Sequence, residues 1–320
     1  MAYAAAKTFE ADLIPVVDIS PLREGGDAHA VAAALHKAST GLGFIYITGH
    51  GIADATIDAA RDAAYAFFRA DGADKEAVRI SNSHRGWLSA GGARMADGAQ
   101  PDLKESFIFG YQNEAGDTPD DHVLRGANQW PAVPPQMEAA SMAYFEAAST
   151  VAHHLMRGFA LGLGLAEDTF LKTSDKPLSR ASYVYYPAQP ADAGEGQFGV
   201  GPHTDFGVLT VLCQDNVGGL QVQTVDGEWV HAPPIPGTLI VNVADLLSRW
   251  TAGAYVSTPH RVVNASGGER LSLVLAYDPN PATLIDPGPI VGDVPGAEPP
   301  ITCGDYLVWR FERAFAYRKG

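Results

Sequence analysis

Cysteine is nearly missing: Cys213 and Cys303 are the only two in 320 residues. Two thiols cannot form a disulfide framework, and neither sits in a close Cys pair of the zinc-binding kind. A reducing compartment is therefore expected. Long apolar runs are absent as well. No stretch approaches the roughly 18 apolar residues that span a bilayer, and the opening Met1 to Lys7 has no secretory apolar segment. A cytoplasmic protein with no membrane partner is the expectation. Basic charge is scarce: 22 Lys plus Arg stand against 37 Asp plus Glu, a formal charge of −15. That balance argues against nucleic-acid partners, which draw on clustered Lys and Arg. It leaves room for a small-molecule pocket that is locally basic. What is present is an ordinary globular composition, 46% hydrophobic and 18% charged.

The chain changes texture along its length. Residues 1–175 read as helix-rich. The segments 28–40 and 53–70 carry apolar residues at helical spacing, and a long helix is expected from Pro135 to about Leu163, burying Met142, Phe145, Leu155, Met156 and Phe159. Short strands are expected at Ile14–Ile19 and Gly43–Thr48, and loop over 84–103. Residues 176–285 show short β-rich runs broken by Gly, Pro and Asp, among them Ala181–Tyr186, Val208–Cys213, Leu220–Gln223, Glu228–His231, Thr238–Val243 and Arg270–Tyr277. Strands at that pitch indicate an antiparallel sandwich or barrel. Residues 286–320 form a tail that is helical from Gly304 to Arg318. No linker or repeat divides the sequence, so a single unit, 1–320, is expected: mixed α/β with a mainly β core and flanking helices.

Chemistry concentrates in Gly201-Pro-His-Thr-Asp-Phe-Gly207, Thr258-Pro-His-Arg-Val-Val263 and Glu269-Arg-Leu-Ser-Leu273. Side chains two apart on a strand face the same way, so His203 and Asp205 would point to one face. A barrel could bring His260, on a later strand, alongside them. Two imidazoles and one carboxylate on one side of a metal leave the opposite positions open, as in non-haem Fe(II) oxygenases. Arg270 and Ser272 share a strand face in the same way, and a guanidinium beside a hydroxyl is a good carboxylate receptor. Each piece alone is weak. The ordered set, in a β-rich half with the right parity, is what proposes a metal site beside a carboxylate anchor.

These segments, with Gly218-Gly-Leu-Gln-Val222, Val241-Asn-Val-Ala-Asp245, Ile14–Ile19 and Gly43–Gly51, resemble the isopenicillin N synthase-like branch of the Fe(II)/2-oxoglutarate-dependent dioxygenases, over about residues 13–280. The resemblance implies a double-stranded β-helix (jelly roll), with His203, Asp205 and His260 on Fe(II), and Arg270, Ser272 and Tyr186 on the distal carboxylate of 2-oxoglutarate. It implies O2 as cosubstrate and hydroxylation, desaturation or ring closure of a small organic metabolite, with release of succinate and CO2. A 2-oxoglutarate-independent oxidase, in which the Arg-x-Ser pair holds substrate, is the alternative. A non-catalytic binding protein on the same barrel is a weaker one. Val184 and Ala244 depart from the commoner Asn and Gly. Ala276 stands where many relatives carry a large residue, which would widen the substrate pocket.

Phe206, Phe109, Ala276 and Arg94 are the candidate substrate contacts. Specificity is expected from loops over 84–112, from the C-terminal helix and from Ala276. His50 sits in a Gly-His-Gly turn and reads as structural, and His153 and His154 read as helix packing. Nothing in the sequence names the substrate or the oligomeric state.

Overall fold

The computed structural model describes residues 6–7, 13–93, 100–112, 122–188, 198–264 and 267–318. Arg94 lies outside them, as does the Gly-rich stretch from Gly194 to Gln197.

The helices are α1 (Ser20–Glu24), α2 (Ala28–Gly41), α3 (Asp54–Phe68), α4 (Gly72–Glu76), α5 (Met137–Gly162), α6 (Asp245–Trp250), α7 (Gly288–Val291) and α8 (Cys303–Ala314). The strands of the two main sheets are β1 (Val16–Asp18), β2 (Phe44–Thr48), β3 (Gly86–Leu88), β4 (Glu105–Gly110), β5 (Arg180–Tyr186), β6 (Val200–His203), β7 (Leu209–Gln214), β8 (Leu220–Gln223), β9 (Trp229–His231), β10 (Leu239–Val243), β11 (His260–Val262) and β12 (Arg270–Tyr277). Eight strands form a large sheet in the order β1-β2-β10-β7-β12-β5-β4-β3, and β6-β11-β8-β9 form a smaller one. Together they make the double-stranded β-helix that the sequence leads one to expect.

Alternation along the strands sorts side chains into two cores. On β12, Leu271, Leu273, Leu275 and Tyr277 point to the helix layer, where they meet α3 and α5. Arg270, Ser272, Val274 and Ala276 point between the sheets and line a cavity. The second, smaller core fills the rest of the intersheet space with Phe44, Tyr46, Val184, Val222, Ile240 and Val262. Helix spacing does the complementary work. On α3, Ile57, Ala60, Ala64 and Phe67 recur at three- and four-residue steps and all are buried. On α5, Phe145, Leu155, Met156 and Phe159 are buried as expected, whereas Met142 sits half-buried at the edge and Tyr144 takes the inner position. The starts of α2 and α8 are capped by side chains: Asp27 accepts from the Ala30 amide and Thr302 from the Asp305 amide.

The expected loop over 84–112 is in part sheet. β3 and β4 pair with each other, and β4 pairs with β5. Residues Phe107, Ile108 and Phe109 run as an uninterrupted apolar stretch, which masks period-2 alternation there. Among the described residues no helix is long and apolar enough to cross a membrane.

Candidate active site

The cavity lies between the sheets and encloses about 1120 Å³ of space not filled by protein, including its open mouth. Its inner wall carries His203, Asp205 and His260. β6 and β11 are antiparallel neighbours, and His203 pairs directly with His260 in register. That pairing joins two histidines from distant parts of the sequence. Asp205 lies just beyond the end of β6, so strand parity alone does not aim it. The turn into β7 does, with help from two hydrogen bonds: Thr210 Oγ1 and Asn242 Nδ2 donate to Asp205 Oδ2 at 2.6 and 2.8 Å.

With Oδ2 occupied, Oδ1 faces both imidazoles, 3.6 Å from Nε2 of His203 and 3.6 Å from Nε2 of His260. One donor atom from each residue lies within 4.8 Å of the other two. The carboxylate separations are below twice a metal–ligand bond of about 2.1 Å. The imidazoles are held from behind: His203 Nδ1 is 2.8 Å from the Gly201 carbonyl and His260 Nδ1 is 3.2 Å from that of Thr258. With Nδ1–H donating to these carbonyls, Nε2 is left with its lone pair toward Asp205, which is the usual outer support of a metal-binding histidine. Burial, reinforced by His203, lowers the His260 pKa to about 4, which keeps its ring neutral and able to ligate. Burial pushes Asp205 up, but His260 and His203 more than offset it, and its carboxyl ends well below the usual range. Asp205 is thus ionised and His260 neutral, the states in which each can ligate a divalent cation.

Arg270 lies along the same inner wall, on the cavity face of β12 and paired in register with Tyr186 of β5. Its side chain is fully buried. Nε donates to the Gly218 carbonyl at 2.6 Å, and the guanidinium stands 4.7 Å over the Tyr186 ring. The Gly218 carbonyl is presented by a turn whose next residue, Gly219, has φ +93° and passes so close to Val263 that a Cβ would fall 2.2 Å from its carbonyl oxygen. Nη1 and Nη2 of Arg270 and Oγ of Ser272 are buried without a hydrogen-bond partner among the described residues. Three unsatisfied polar atoms side by side in a cavity fit an anionic ligand with two oxygens.

The remaining candidates divide. Phe206 and Ala276 line the cavity. Phe109 does not: on β4 it is Ser106 and Ile108 that face the cavity, while Phe109 packs in the helix-side core against Tyr183 and Trp130. The strand alternates, and Phe109 falls on its other face. His153 is packed against Tyr277, and His50 Nδ1 accepts from the Ile52 amide within its own turn. Three titratable cavity residues are absent from the sequence candidates: His84, Lys104 and Arg180. The signal for Arg180 is strand parity, since it shares a face with Ser182, Val184 and Tyr186 on a strand that the sequence marks clearly.

Comparison with known proteins follows the same lines. The family model described as non-haem dioxygenase in morphine synthesis, N-terminal, matches residues 14–133, and that of the 2OG-Fe(II) oxygenase superfamily matches residues 177–279. A homoarginine-6-hydroxylase of Glycine max is 34% identical over 293 residues, 86% of this chain and 88% of that protein. A full-length Neurospora crassa protein crystallised in complex with alpha-KG and thymine superimposes with a TM-score of 0.83 at 27% identity, covering 93% of this chain and 96% of that one. A putative 2OG-Fe(II) oxygenase family protein of Caulobacter crescentus does so with a TM-score of 0.81 at 28% identity, covering 93% and 98%.

Proposed function

Because this chain belongs to the 2OG-Fe(II) oxygenase superfamily, we propose that His203, Asp205 and His260 hold its Fe(II) and that Arg270 and Ser272 anchor its 2-oxoglutarate. The class of activity is that of its relatives: an iron- and 2-oxoglutarate-dependent oxygenase acting on a small metabolite. The observation that carries the assignment of residues is the pairing, on one wall, of three convergent donors with a buried guanidinium whose Nη atoms have no partner among the described residues.

Each group then has a defined task. His203 and His260 give one nitrogen each, and Asp205 gives one oxygen, while Gly201, Thr258, Thr210 and Asn242 fix their orientation. Three ligands on one side leave the other side open to exchangeable groups. Bound there, Fe(II) with 2-oxoglutarate and O2 supplies the oxidising power to hydroxylate, desaturate or cyclise a substrate at a C–H bond, with succinate and CO2 as coproducts. Arg270 and Ser272 receive the far carboxylate through charge-assisted hydrogen bonds, and the Tyr186 ring backs the guanidinium. The Tyr186 hydroxyl, whose pKa burial pushes up to about 12, stays protonated and available to donate to the same carboxylate. Leu212, Leu220 and Val262 keep this end of the cavity apolar and strengthen those contacts. No side-chain nucleophile is needed. Ala276, six positions along β12 from Arg270, gives the substrate room.

The test is 2-oxoglutarate-dependent succinate formation by purified protein across a panel of small metabolites. Release should require Fe(II) and O2 and should fall at least ~100-fold in His203→Ala, Asp205→Ala and His260→Ala, the upper end of what loss of a metal-site group costs. Retained turnover in two of the three would refute the ligand assignment, and substrate oxidation without 2-oxoglutarate would refute the anchor.

A further inference from the structure

Arg270 is not the only cation on the cavity wall. Arg180 stands opposite Ala276 in register, six positions along β12 from Arg270. At about 3.3 Å per residue the two guanidinium groups are rooted roughly 20 Å apart along the strands. A five-carbon diacid anchored at Arg270 does not reach Arg180, so that end of the cavity is left to the substrate.

The Arg180 end is rich in cations. Arg180 Nη1 donates to Asp278 Oδ2 at 2.6 Å, and Asp278 is fully buried and also accepts from the Val208 amide at 3.2 Å. The guanidinium lies 4.7 Å over the Phe311 ring. Clamped in this way, it keeps a fixed orientation on the cavity wall. Lys104 is mostly buried on the same wall, and its ammonium is 3.8 Å from Asp102 Oδ2, beyond hydrogen-bond range. It makes no hydrogen bond among the described residues. Asp102 turns its other oxygen to the Gly201 amide. Behind these lies Arg85, 2% exposed, whose donors reach only the backbone carbonyls of Ser83 and His84 among the described residues. Burial and then Arg180, Arg85, Arg318 and Lys104 drive the His84 pKa well down, so the imidazole adds no further charge. Around this corner those four cations stand among three carboxylates, Asp278, Asp102 and the Asp205 of the donor triad. Next to it the wall is apolar: Phe206, Phe311, Phe315, Leu88 and Ile108.

We propose that this corner takes a carboxylate of the primary substrate, held by Arg180 with Lys104 beside it, while an apolar skeleton rests against Phe206, Phe311 and Phe315. The proposal deepens the oxygenase reading and rests on it: it names the substrate class as organic acids of modest size. The distances suit this class. Thr210, which holds Asp205, pairs with Ala276, which pairs in turn with Arg180, so two strand spacings separate them. That is about 10 Å, and an acid bound at Arg180 places a carbon a few bonds away over the donor triad. Ala276, between the two, is small enough to let it pass.

The experiment is calorimetric titration of the protein loaded with Fe(II) and 2-oxoglutarate under argon. The probes are benzoate, phenylacetate, 3-phenylpropionate and octanoate, each paired with its primary amide. At least one acid should bind ~10-fold or more tightly than its amide, and Arg180→Met should lower that acid's affinity ~10–100-fold, the effect of losing hydrogen bonds to a charged group. Arg180→Lys should restore part of it. Because Arg180→Met strands the buried Asp278 carboxylate, Arg180→Met/Asp278→Asn is made beside it, and Lys104→Met removes the second cation without touching that pair. No acid exceeding its amide, or a preference that survives in both the double variant and Lys104→Met, would overturn the proposal. The visible absorbance of Fe(II) with 2-oxoglutarate under argon, measured in parallel without any probe, reports on the iron site alone. Its absence would count against the oxygenase reading rather than against this corner.

Discussion

Replacing Arg270 with methionine separates the stability of the fold from its affinity for 2-oxoglutarate. In the ligand-free protein the side chain is fully buried and two of its donor nitrogens have no partner among the described residues. An unsatisfied buried donor costs about 1–3 kcal/mol, so the pair costs roughly 2–6 kcal/mol. Against this the variant loses the bond from Nε to the Gly218 carbonyl, worth about 1.5–3 kcal/mol for a charged donor. It also loses the contact with Tyr186, worth about 2 kcal/mol at a desolvated site. The terms largely cancel, and methionine fills much of the volume. Urea unfolding of ligand-free Arg270→Met should therefore lie within about 2 kcal/mol of wild type. Cosubstrate binding should not survive. Two charge-assisted bonds at about 1.5–3 kcal/mol each correspond to a ~10²–10⁴-fold loss of affinity, read by calorimetry with Fe(II) under argon. Saturating 2-oxoglutarate should also raise the wild-type unfolding midpoint and leave that of the variant unmoved. A variant that loses more than about 4 kcal/mol without ligand, yet binds 2-oxoglutarate as wild type does, would refute the reasoning.

Thr210→Val removes one of two donors that turn Asp205 toward the imidazoles; Fe(II) affinity should drop ~10–100-fold with little change in stability, and an unchanged affinity would show that Asn242 suffices. His84 is buried and its pKa is depressed by burial first and by nearby cations second. The unfolded chain takes up that proton near pH ~6.5 while the folded chain does not, so this residue's contribution is present above that pH and is lost as pH falls below it. Urea midpoints of His84→Gln should accordingly decline less steeply than wild type on acidification, by up to one proton, and parallel curves would contradict the shift. Ala276→Phe should lower the ratio of oxidised product to succinate for larger substrates while leaving 2-oxoglutarate affinity intact, because the added ring fills the substrate side of the cavity and not the Arg270 end; an unchanged ratio across a size series would show that Ala276 does not set pocket width.

The β12 strand is legible in the sequence to the residue, because Arg270, Ser272, Val274 and Ala276 alternate with leucines and a tyrosine that enter a different core. The donor set is legible too, since the short motifs carry few residue types that bind metal. His203 and His260 are expected on neighbouring strands, and they pair in register. Asp205 reaches the same centre by a route that parity does not foresee, a turn braced by Thr210 and Asn242, which only tertiary pairing brings close. The first half is less transparent where side chains are apolar on both faces. β4 is covered on both sides, so its residues carry no alternation, and Phe109, a candidate for the cavity, faces the helices instead. The short α6 leaves no pattern because Asp245–Trp250 spans less than two turns, too few for a period to register. Lys104 is hidden for another reason. A single basic residue in an acidic chain looks solvated until the fold shows it pointing inward.

One titration bears on the whole account: Fe(II) added under argon to protein saturated with 2-oxoglutarate, followed by visible absorbance. The account predicts a band that saturates at one ion per chain, needs both components, disappears in Asp205→Ala and is abolished at the same 2-oxoglutarate concentration in Arg270→Met. A band of equal strength in either variant would contradict it.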